Sequence, residues 1–106
     1  MGYNAEVAKT TIQQLGGANK LKAMIGAKNF GADNNTVSFQ FPRCNGFRAV
    51  RITLNVMDTY DIQFLGGNNF RVLKEFNGIY NDGLIDLFED TTGLRLSLGE
   101  LKEALA

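Results

Sequence analysis

Between Val37 and Phe76 the chain alternates apolar and polar residues in four successive runs, separated by short segments rich in Asn and Gly. No other feature restricts the fold as much. Successive side chains on a strand point to opposite faces, so each run reads as a half-buried strand with one covered face and one open face. "VSFQF" sets Val37, Phe39 and Phe41 against Ser38 and Gln40, and "FRAVRITLNV" sets Val50, Ile52, Leu54 and Val56 against Ala49, Arg51, Thr53 and Asn55. "TYDIQF" puts Tyr60, Ile62 and Phe64 opposite Asp61 and Gln63, and "FRVLKEF" puts Phe70 and Val72 opposite Arg71, Leu73 and Glu75. Asn45-Gly46 is the strongest of the turn signals, because the favoured two-residue hairpin needs positive φ at both central positions. The predicted sheet is a four-stranded antiparallel meander.

Helical periodicity flanks it. Val7, Ala8, Thr11, Ile12 and Leu15 recur at helical spacing after Asn4 as N-cap and Glu6 in the first turn, and Gly16-Gly17 stop the run. "ANKLKAMIG" fits two patterns: Leu21, Met24 and Ile25 suit a short helix, while Leu21, Ala23 and Ile25 suit a strand. The helix is the reading preferred here. "AKNFGADNNT" reads as a loop by composition. Toward the end, Asn81 caps a helix with the stripe Leu84, Ile85, Leu87 and Phe88, closed by Thr92-Gly93. Ser97 and Glu100 form a capping box for a short last helix carrying Leu101, Ala104 and Leu105. The predicted class is α+β, a single domain over residues 1–106, with one or two N-terminal helices and two C-terminal helices packed on one face of the meander.

Composition narrows the chemistry. The chain has no His and one Cys, so the commonest general base is missing and Cys44 has no imidazole to activate it. P-loop, G-x-S-x-G and H-E-x-x-H patterns are absent. Asp58 and Asp61 stand close in sequence but lack the further oxygen ligands a metal site requires, so "NVMDTYDIQF" reads as a hairpin corner with Asp58 bonding local backbone N–H groups. A non-enzymatic protein without cofactor or metal is expected. One Cys, no apolar run of membrane-spanning length and no signal-like N-terminus point to the cytoplasm.

Charge is balanced but uneven. Through Glu75 nine Lys/Arg stand against five acids; from Phe76 onward two stand against six. Two candidate surfaces follow. Arg48, Arg51, Arg71 and Lys74 lie on or beside the predicted strands. With Phe47 on the open face they would set guanidinium groups beside a flat ring, the combination a single-stranded nucleic acid requires. The bland alternative is that these charges keep open strands soluble. Asp82, Asp86, Glu89 and Asp90 form an acidic row on the C-terminal helix. It reads either as a solvated face or as a docking surface for a basic host protein. The sheet edge could serve the same docking role, to inhibit or tether a host factor, and a virion component or homo-oligomer is a third option.

"TIQQLGG", "KAMIGAKNF", "RITLN" followed by "MDTYDIQF", and "GIYNDGLIDLFEDTTGL" together resemble a group of short proteins encoded by bacteriophages and other mobile elements of bacteria. The resemblance spans most of the chain and is most specific at "GAKNF" and "MDTYD". It implies expression in a bacterial host cell and supplies no catalytic or binding residue to carry over.

Overall fold

The computed structural model describes residues 5–94. Two helices, α1 (Ala5–Gln14) and α2 (Ala18–Ile25), lead into five strands: β1 (Lys28–Asp33), β2 (Thr36–Cys44), β3 (Phe47–Leu54), β4 (Tyr60–Gly66) and β5 (Arg71–Ile79). A 3-10 turn over Asn81–Gly83 then enters α3 (Leu84–Thr92). The strands pair antiparallel with their neighbours in chain order, β1-β2-β3-β4-β5. This is an α+β architecture with one strand more than the alternation predicted. The last helix expected over Ser97–Leu105, and the Asn4 cap, lie outside the described residues. Among the described residues no helix is long and apolar enough to cross a membrane.

The added strand comes from "AKNFGADNNT", which composition marks as a loop. β1 hides its strand character because its pairing with β2 is broken by a register shift between Lys28 and Gly31, with Asn29 at φ 55°. A bulged edge strand does not alternate cleanly, and irregularity of this kind discourages pairing with another sheet. The ambiguous "ANKLKAMI" is a helix that buries Leu21 and Ile25 and ends at Gly26 in the left-handed conformation.

The apolar phases predicted for β2 and β4 form the core. Val37, Phe39, Phe41, Val50, Ile52, Tyr60, Ile62 and Phe64 are buried with Leu15, Leu21 and Ile25 of the leading helices and Leu84 and Phe88 of α3. Phe88 reaches the centre of this layer, with its ring 5.5–6.2 Å from those of Phe39, Phe41 and Phe64. Such offset and edge-on contacts add to the stabilisation from burial.

The hairpin tip between β2 and β3 is locked from two directions. Asn45 and Gly46 both have positive φ, 54° and 86°, as the two-residue turn demands. Cys44 Sγ and Asn45 Nδ2 then both donate to the Thr92 carbonyl at 2.9 Å, joining the tip to the end of α3. Cys44 thereby has a structural role. At the start of α3, Asn81 opens the 3-10 turn, and no side-chain cap bond forms at Gly83.

Candidate functional site

Helices cover one face of the sheet, and among the described residues no element covers the other. Register sorts the open face into rows running across the strands. Gln40, Ala49 and Leu65 lie in line toward the β2–β3 tip, with Lys28 beside Gln40. Ser38, Arg51, Gln63 and Glu75 form the next row, and Thr36, Thr53 and Asp61 a third, with Asp33 beside Thr36. Lys28 thus stands toward the β2–β3 tip, Arg51 and Glu75 share the middle row, and Asp33 and Asp61 stand toward the other end.

At the basic end the turn after β4 brings Phe70 onto the open face. Phe70 has φ 51°, uncommon for a bulky residue, and does not belong to β5 as alternation predicted. The Arg48 guanidinium sits 4.6 Å from the centre of the Phe70 ring, and Arg48 Nη1 donates to the Gly67 carbonyl at 3.1 Å. Phe70 shares a hollow of about 150 Å³ with Asn29, Ser38, Gln40, Ala49, Arg51 and Leu65. This corner explains why Ala49 and Leu65 are buried on a face that carries no helix. Arg51 is exposed, donates to Gln63 Oε1 at 2.9 Å and meets no carboxylate among the described residues.

Three of the five residues predicted for a nucleic-acid surface do not sit on this face. Phe47 is 7% exposed, and its ring lies 5.6 Å from that of Phe64 in the core. The cause is a bulge: the β3–β4 register shifts between Phe47 and Ala49, so alternation counted back from Val50 assigns Phe47 to the wrong side. Arg71 stands opposite Gly66 and Lys74 opposite Phe64, both in the core-facing phase of β5, and both are exposed along this outer strand. Arg48 and Arg51 remain, with Phe70 in place of Phe47. Nothing in the alternation pattern marks Phe70, because its position depends on a turn and not on strand phase.

The acidic row also changes. Asp82, Asp86 and Asp90 are exposed at intervals of four residues, whereas Glu89 is buried at 8% beside the Leu84–Phe88–Thr92 stripe. Facing residue 89, one position past Phe88, follows the buried side of α3 and not the wet one.

The "NVMDTYDIQF" corner is a hairpin turn, but its organiser is Asn55 and not Asp58. Asn55 Oδ1 accepts the N–H groups of Met57 (2.8 Å) and Thr59 (3.2 Å), while Nδ2 donates to Thr59 Oγ1 (2.8 Å) and Asp61 Oδ1 (3.1 Å). Asp61 Oδ1 also accepts the Gly78 N–H at 3.1 Å, tying the turn to β5. Asp58 is exposed at φ 63°. β3 ends at Leu54, so Val56, which alternation placed in the core, is 99% exposed, and Met57 is 77% exposed.

These features define a class: an α+β protein whose antiparallel meander carries its helices on one face and presents a polar, charge-graded face to solvent. In comparisons with known proteins, no family model, no curated protein and no solved structure matches the chain.

Proposed function

We propose that the protein is a non-enzymatic accessory protein of a phage or mobile element, which contacts single-stranded nucleic acid at the Arg48–Phe70 corner in the cytoplasm of the bacterial host. The observation that carries this reading is the guanidinium stacked on Phe70 beside exposed Arg51, above a hollow bordered by Asn29, Ser38 and Gln40. A planar guanidinium–ring pair offers a splayed base a stacking surface, amide and hydroxyl groups offer it hydrogen bonds, and Arg51 offers a phosphate charge. Acids at the far end of the face limit the contact to a few nucleotides. The test is fluorescence anisotropy with labelled single-stranded DNA and RNA at low salt. Phe70→Ala should weaken binding roughly tenfold, within the range for loss of one stacked base. Arg51→Ala should lower the salt slope by about one. Absence of binding by the parent protein at low salt refutes the reading.

A second reading rests on Asp82 in the 3-10 turn and Asp86 and Asp90 in α3, which are exposed at intervals of four residues. They would dock a basic host protein. Capture from host lysate that survives nuclease and disappears in the triple Asp→Asn variant supports this reading; capture that the variant retains counts against it.

A further inference from the structure

The turn between β3 and β4 holds two adjacent apolar side chains, Val56 and Met57, almost wholly in water. Scattered exposed apolar residues are ordinary. Here, however, the two sit on a turn held rigid by the Asn55 amide, so seating them in a partner loses little conformational freedom. Tyr80, 70% exposed, follows directly on Ile79, which pairs with Tyr60 at this same end of the sheet.

Charge indicates the partner. The turns at this end carry Asp33, Asp58 and Asp82 and no Lys or Arg. At the opposite end of the strands Arg43 stands beside the β2–β3 tip and Arg48 beside Phe70, while Arg51, in the middle row with Glu75, borders the same hollow as Phe70. The hollow there is lined by Ala49, Leu65 and Phe70 beside polar Asn29, Ser38, Gln40 and Arg51, and its ring offers a contact to a thioether. An anionic lipid surface suits the knob poorly, since its rim carries the same sign of charge. We infer that copies of this chain associate head to tail, with the Val56–Met57 knob of one seated against the Arg48–Phe70 corner of the next.

Knob and socket lie at opposite ends of the strands, so the contact is heterologous and repeats along a chain of copies or closes into a ring. The socket coincides with the corner proposed for nucleic acid, yet the inference does not rest on that reading. The two are tested separately, because the knob takes no part in nucleic-acid contact.

The experiment is sedimentation velocity on nuclease-treated protein across a concentration series at low salt. The expected result is a mass that rises with concentration above the 11.7 kDa of one chain and falls back as salt is added. The V56S/M57Q double variant and the R51E variant should each stay monomeric while keeping the parent's melting temperature, since all three side chains are exposed. Mixed in equal amounts they should form a species of two chains and no larger, because one supplies only a socket and the other only a knob. F70A serves as a second socket variant. A parent that stays monomeric at every concentration overturns the inference. So does assembly that survives V56S/M57Q, or a mixture of the two variants that does not associate. V56S/M57Q should bind single strands at least as tightly as the parent, since it keeps the socket and removes the competing knob, which separates failure of this inference from failure of the nucleic-acid reading.

Discussion

Replacing Asn55 by Ala removes a short side chain and, with it, the organisation of the β3–β4 turn. The amide makes five hydrogen bonds: Oδ1 accepts from the N–H groups of Met57 and Thr59 and from the Thr59 hydroxyl, and Nδ2 donates to Thr59 Oγ1 and to Asp61 Oδ1. They do not all count equally. Met57 is exposed, so water replaces its lost acceptor at little cost, and Asp61 keeps the Gly78 N–H. Thr59 is only 8% exposed, and both its N–H and its hydroxyl lose their Asn55 partner. A buried polar group left unpaired costs about 1–3 kcal/mol, so the two together set an expected loss of about 2–3 kcal/mol. For a chain of this length that corresponds to a fall in Tm of roughly 10–20 °C.

The assay is urea denaturation followed by circular dichroism, with the slope m checked to be unchanged. Two companion variants sharpen it. Asp58→Gly should cost nothing, because Asp58 is exposed and its φ of 63° suits glycine. Asn55→Asp keeps the acceptor for both N–H groups but sets a second carboxylate against Asp61. It also loses the donor to Thr59 Oγ1, so Asn55→Asp should destabilise the fold as well. A loss under about 0.5 kcal/mol for Asn55→Ala, or a larger loss for Asp58→Gly, refutes the assignment of the turn to Asn55.

Gly66→Ala should destabilise by about 2 kcal/mol or more in the same assay, because an added Cβ meets the Gly46 carbonyl oxygen at 2.1 Å and Leu73 Cδ1 at 2.7 Å. A backbone oxygen inside a hairpin tip tied to α3 has little room to yield. Thr11→Val should stabilise by about 1 kcal/mol, since Thr11 is 1% exposed and its Oγ1 has no hydrogen-bond partner among the described residues. A destabilised Thr11→Val protein would reveal a partner for that hydroxyl.

Much of the fold is legible along the chain because it is specified by neighbours in sequence. Alternation at Val37, Phe39 and Phe41 marks a strand face, Asn45-Gly46 marks a hairpin, and Gly16-Gly17 end α1 wherever those residues stand. The candidate site is legible only in its chemistry. Arg48 and Arg51 are recognisable as basic strand residues, but the ring that accompanies them is not, since one bulge at Arg48 moves Phe47 into the core and one left-handed residue moves Phe70 out of β5.

The amino-acid sequence alone determined the α+β class, the apolar phases of β2 and β4, the hairpin tip and the stops of α1 and α3, all set by period and turn chemistry over a few residues. Tertiary structure decided that β1 joins the sheet, that Phe47 is buried and Val56 is not, that Glu89 lies inward, and that Cys44 secures α3. Those outcomes depend on register and on partners as far apart as Cys44 and Thr92, and a one-residue shift in pairing reverses a side chain's face without leaving any mark in the local pattern.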